Sequence, residues 1–172
     1  MNAVLENLLT RRSIRSFTDQ PISRENLEQI VKAGTYAPSG KNSQTWQFTV
    51  VDCKETIGTI AEAMRQALGA EHYDLYRPTA LIMVSNDPDN HNGLADCACA
   101  LENIFLAAHS LGIGSCWINQ MKDAQKDPKV RELLDKLGVP KNHVVWGTAA
   151  LGYAADTPQA KPRRDGVVVW AK

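Results

Sequence analysis

The stretch LADCACALENIFLAAHSL, Leu94 to Leu111, decides how this chain folds. Only Asp96, Glu102, Asn103, His109 and Ser110 interrupt its apolar pattern, so the predicted helix is apolar on most sides and must be hidden all round. A chain of 172 residues hides such a helix only if something covers one flank, and the cheapest cover is a second copy of itself. The stretch therefore predicts a central helix and a homodimer. Gly112 and Gly114 end the helix, and a strand is expected over Ser115–Ile118. Upstream, Ala80–Ser85 reads as a buried strand that stops at the turn-rich segment Asn86–Asn92.

Further toward the N-terminus, Val4, Leu5, Leu8 and Leu9 recur at helical spacing and predict an amphipathic helix ending near Arg11–Arg15. Ser23 can cap a second helix, with Ile22 and Leu27 at the two positions of a hydrophobic staple and Leu27, Ile30 and Val31 on one face. Gly34 and Pro38 break that pattern. The polar run Pro38–Thr45 then reads as a loop before a strand at Trp46–Val51, and Ile57, Ile60, Ala61, Met64 and Leu68 describe a third helix. Toward the C-terminus, Asp127, Pro128 and Gly138 bracket a fifth helix with Val130, Leu133, Leu134 and Leu137 as its stripe. His143–Leu151 reads as a strand, and Val167–Trp170 as a last short one. Helices first, then strands separated by helices, point to one α+β domain over residues 1–172: a mixed sheet with helices packed on it, not a doubly wound nucleotide fold.

Composition narrows the function. Nineteen basic and nineteen acidic side chains cancel, so no global field draws the chain to nucleic acid or an anionic membrane. No apolar run is long enough to span a bilayer. The opening MNAVLENLLTRR lacks an export signal's cleavage site, so a cytoplasmic chain is expected. Cys53, Cys97, Cys99 and Cys116 form no CxxC pair and have no histidine at metal-ligand spacing; buried, reduced thiols are expected, and no metal. Gly112-Ile113-Gly114 is too short for a dinucleotide fingerprint. Gly40-Lys41 lacks the Ser or Thr of a P-loop, because Asn42 follows.

Three polar clusters carry the chemistry. Arg11, Arg12, Ser13 and Arg15 stand at the exit of the first helix, where a solvated face is the plain alternative to anion binding. Pro38, Ser39, Gly40, Lys41, Asn42, Ser43 and Gln44 form a loop rich in amide and hydroxyl groups, able to meet a flat polar heterocycle or to be an ordinary surface turn. Lys161, Pro162, Arg163 and Arg164 lie in the C-terminal connection. A phosphate monoester needs two or three charged donors, and the two basic clusters meet that need better together than apart.

RRSIRSF at 11–17, PSGKNSQTWQF at 38–48, AAHSLGIGSCWI at 107–118 and GYAADTPQAKPRR at 152–164 occur in an order that resembles the nitroreductase family of FMN-dependent proteins, and the likeness covers nearly the whole chain. The resemblance implies a central mixed, mainly antiparallel sheet flanked by helices in an intertwined homodimer with shared flavin sites. It implies that Arg11, Arg12, Ser13 and Arg15 hold the flavin phosphate and part of the ribityl and ring system, with Lys161 and Arg163 completing the clamp. Pro38, Ser39, Gly40 and Asn42 match the loop that reaches the flavin of the other subunit. Trp117, Ile118, Asn119 and Gln120 match the stretch along the ring. Many relatives carry Glu and Gly where this chain has Asn119 and Gln120, and a neutral amide in place of a carboxylate changes the field beside the flavin.

The implied activity is hydride transfer from NAD(P)H through FMN to nitroaromatic, quinone or similar flat acceptors by an alternating, ping-pong cycle. Flavin carries the electronics, which accounts for the lack of an acid–base pair or catalytic triad. Arg15 is the leading side chain for charge near the ring, with a phosphate role as its rival. His109 and Cys116 read as packing residues, and Glu102 as a partner in an ion pair across or within the dimer. The short span between Val51 and Ala80 leaves the pocket open. Two other readings stand beside this one: a flavin store or sensor without turnover, and a cofactor-free interaction module.

Overall fold

The structure, a computed structural model, describes residues 2–171. Its elements in chain order are α1 (Ala3–Thr10), α2 (Arg24–Thr35), a 3-10 turn at Gly40–Asn42, β1 (Gln47–Val51), α3 (Lys54–Ala67), β2 (Ala80–Asn86), α4 (Gly93–Ser110), β3 (Gly114–Ile118), α5 (Met121–Ala124), α6 (Pro128–Lys136) and β4 (Val144–Gly152). The strands form one sheet in the order β1-β2-β4-β3, antiparallel at every pairing. The parallel component of the expected mixed sheet is reduced to a single bridge, Ser13 to Ser115.

Period-two alternation sends each strand's side chains to two different cores. Ile82 and Val84 of β2 join Ala149 and Leu151 of β4 under α2 and α4. Leu81 and Met83 join Val145 and Ala150 under α3, α5 and α6. Because β2 is covered on both faces, all seven of its residues are buried, which explains its unbroken apolar run. Ser23 caps α2 by accepting from the Asn26 amide, and Asp127 caps α6 with Pro128 in its first turn, as the sequence predicts.

Two expectations need correction, and one short helix went unpredicted. Val167–Trp170 forms no strand; these four residues are among the most exposed apolar side chains. The four-residue α5 escaped periodicity, being barely one turn long. Cys53 and Cys99 are exposed, whereas Cys97 and Cys116 are buried; all four are free thiols. In the single chain, Asp96, Cys97, Ala100, Leu101, Ile104, Phe105 and Ala108 of α4 face inward, while Ala95, Cys99 and Glu102 form the flank left open. No helix among the described residues is long and apolar enough to cross a membrane.

Candidate functional site

Two backbone zippers bring the ends of the chain together. On one side, residues 13–15 lie along β3, where the Ile14 N–H donates to the Ser115 carbonyl at 2.9 Å. Gly114 permits this approach, since a Cβ there would stand 2.9 Å from Ile14. On the other side, the chain leaving β4 pairs Ala154 with Phe17, while Thr18 N–H donates to Tyr153 and Ala155 N–H to Ser16, each at 2.9 Å. The C-terminal connection is thereby returned along the exit of α1. Arg11, Arg12, Ser13 and Arg15 line one cavity of about 290 Å³ together with Lys161 and Arg163, and Pro158 and Gln159 complete its wall.

Five cationic side chains and no carboxylate line this cavity. Several of the cations are braced from behind. Arg11 lies 5.9 Å above the Phe105 ring, with Glu102 at 3.9 Å from its Nε. Arg12 donates from one terminal nitrogen to the carbonyls of Leu9 and Arg11, both at 2.8 Å, at the C-terminal end of α1. Such a set suits a phosphate monoester, whose oxygens take several charged donors at once. Larger cavities of about 720 Å³ beside α3 and 630 Å³ beside α6 carry charges that already pair with each other, such as Lys54 with Asp19 and Lys126 with Asp123. Only the smaller cavity concentrates one sign of charge.

The loop after α2 is built differently. Lys41, Asn42 and Gln44 all adopt left-handed backbone angles, with φ of 57°, 55° and 49°. Internal bonds hold that shape: Asn42 N–H to the Ser39 carbonyl at 2.9 Å, Ser43 N–H to the Gly40 carbonyl at 3.1 Å, and Gln44 N–H to Ser39 Oγ at 3.2 Å. The Gly40 N–H donates to Asp96 Oδ1 at 2.8 Å, so both backbone groups of Gly40 are used within the protein. A side chain at Gly40 would collide with the Asn92 amide. None of Pro38, Ser39, Gly40 and Asn42 lines the basic cavity of the same chain. The loop is braced at Asp96, whereas α1 meets α4 at Leu106 and His109, the first of these ten residues on, or about 15 Å of helical rise.

At the end of β3, Ile118 is buried, Trp117 is 37% exposed with its ring 6.1 Å from Phe105, and Asn119 and Gln120 are exposed. Cys116 beneath them is a packing residue, as read; burial pushes its thiol upward against the pull of Arg15 and Arg11. His109 is not turned into the core. Its Nε2 sits 2.9 Å from Thr10 Oγ1, and burial, with Arg11 and Arg12 nearby, holds its pKa below the ordinary value.

Residues 8–153 match the nitroreductase family. The chain belongs to that family. A nitroreductase with bound FMN from Bacteroides fragilis superposes with a TM-score of 0.95 at 39% identity, covering 100% of each chain. Another with bound FMN, from Desulfitobacterium hafniense, gives 0.91 at 28% identity, again over 100% of each. An NADPH-flavin oxidoreductase of Vibrio harveyi is 31% identical over 180 residues, 98% of this chain and 73% of its own.

Within this nitroreductase-family fold, one segment went unseen in the sequence. Leu75, Tyr76 and Arg77 are three consecutive left-handed residues, with φ of 56°, 67° and 49°. The turn is held by Asp74, which accepts from the Tyr76 amide at 2.9 Å and from Arg77 Nε at 3.0 Å. It carries the Tyr76 ring to 5.8 Å from the Arg15 guanidinium and the Tyr73 hydroxyl to 3.5 Å from Gln120 Oε1. Two tyrosines between Gly69 and Pro78 were the available signal. Their segment has no periodicity to mark it.

Proposed function

We propose that this protein is an NAD(P)H-dependent FMN oxidoreductase that passes hydride equivalents to nitroaromatic, quinone or similar flat acceptors, working as a homodimer with two shared sites. The observation that carries the reading is the convergence of Arg11, Arg12, Ser13, Arg15, Lys161 and Arg163 on one cavity of about 290 Å³. The donors fit the phosphate of FMN, and the cavity is sized for the phosphate end of the cofactor rather than all of it. When bound, the flavin supplies reversible two-electron chemistry that amino-acid side chains lack. Trp117–Gln120 would lie along the ring, and Arg15 would hold negative charge at its polar edge. Donor and acceptor would use one open face in turn.

The dimer reading rests on what the single chain leaves uncovered. Val4, Leu5, Leu8 and Leu9 of α1, Leu94 of α4, Trp117 and the run Val167–Trp170 are all exposed, more apolar surface than a monomer ordinarily presents. A two-fold axis across α4 would cover α1 and the open stripe, and would turn the Pro38–Asn42 loop of one chain toward the basic cavity of the other. The test is flavin reconstitution followed by NADH and NADPH oxidation, with and without oxygen, over a small panel of quinones and nitroaromatics. Turnover supports the enzyme. A flavin-loaded protein that stays oxidised with both nicotinamides leaves the storage or sensing role. Sedimentation of the flavin-free chain as a dimer is expected, and a stable monomer would overturn the shared site.

A further inference from the structure

We propose that Asp96 is a positioning residue for the flavin site, acting through the backbone of Gly40; this rests on the shared-site reading above. Asp96 is 4% exposed in the first turn of α4, among apolar neighbours. One carboxylate oxygen accepts the Gly40 N–H at 2.8 Å, while the other is buried with no partner. No salt bridge to a lysine or arginine compensates it among the described residues. The positive end of the helix dipole offsets part of the cost of burying this charge, and the remainder has no local return in packing. What the carboxylate does achieve is geometric. It pins the amide that opens a turn of left-handed residues, at a place where a side chain would collide with that of Asn92. A second strut, Asn90 Nδ2 to Thr45 Oγ1 at 2.9 Å, ties the far end of the same loop to the segment just before α4. The loop is thus preorganised from the helix that runs through the centre of the molecule, and the Ser39 and Asn42 side chains are presented in a fixed frame.

The test begins with hydrogen exchange on the flavin-free protein. Asp96→Ala should speed exchange of the Gly40 amide at least tenfold while the middle of α4 stays protected, and Asp96→Asn, which keeps an acceptor, should restore protection. FMN affinity should follow the same order: at least tenfold weaker in Asp96→Ala, within about threefold of the parent in Asp96→Asn. Asp96→Val, which removes the acceptor but keeps most of the side-chain volume, stands in if the alanine variant does not fold. Mixed dimers then separate positioning from general damage. A dimer of one Asp96→Ala chain and one Arg11→Ala chain should retain one sound site, hence half the tight FMN binding and half the turnover of the parent. Parent protein that binds no FMN would overturn the functional reading, and this proposal with it. Parent protein that binds FMN, with Asp96→Ala unchanged in exchange and affinity, would overturn this proposal alone.

Discussion

The basic cavity and the Pro38–Thr45 loop sit on the same molecule and solve opposite problems. The cavity gathers five like charges; its N-terminal cations are braced by neighbouring groups, but its C-terminal wall, residues 159–164, is exposed throughout. The loop carries little net charge and is held before any ligand arrives by Asp96, Asn90 and its own backbone bonds. One region contributes attraction at the moment of binding; the other contributes shape in advance. The difference teaches that affinity and geometry come from separate parts of this fold, so they should fail separately.

The largest effect is expected in the cavity. Arg11→Ala should weaken FMN retention by about 1.5–3 kcal/mol through loss of a charged hydrogen bond, with Arg163→Ala similar, measured by fluorescence titration. Both losses should shrink as salt is raised. Unchanged affinity in both variants would mean the clamp is wrongly assigned. Gly40→Ala should cost about 1–3 kcal/mol of stability by overpacking against Asn92, read by thermal melts, and Asn92→Ala in the same chain should recover most of it. If Gly40→Ala instead weakens FMN as salt-sensitively as Arg11→Ala, the contrast between the two regions collapses.

Two smaller effects sharpen the boundary. Tyr76→Ala should remove about 0.5–1 kcal/mol of support for the Arg15 guanidinium, seen as a modest loss of FMN affinity, while Tyr76→Phe should lose little. The smallest concerns pH. His109 and His143 both titrate below their ordinary value, chiefly because burial disfavours the charged ring. Groups with a lowered folded pKa bind more protons when unfolded, so stability should be intact above about pH 6.5 and decline as pH falls through the folded values. Denaturant melts from pH 7.5 to 5 should show that slope, and His109→Gln should flatten part of it. A flat profile in the parent would contradict the burial.

Most helices and all four strands were legible because each carries a period: 3.6 in α2, α3 and α6, and an unbroken buried run in β2. The basic clusters were legible as charge, and the motif order tied them to a family. Asp96 was visible only as a polar interruption in an apolar helix. Nothing in its neighbours says that its partner lies 56 residues away in the chain. Tyr73 and Tyr76 were missed for a related reason, since left-handed turns made of non-glycine residues leave no compositional mark.

The sequence by itself determined most of the element order, the apolar faces of the helices, the family and the identity of the cations at each end. It did so because propensity, periodicity and charge are local properties of neighbouring residues. Tertiary structure decided that residues 11–15 and 158–163 share one cavity, that Gly40 spends its amide on Asp96, and that Val167–Trp170 stands exposed instead of joining the sheet. Each of these depends on which backbone edges meet after the chain has crossed the sheet, and an edge contact between distant segments is a property of the packed fold, not of either segment alone.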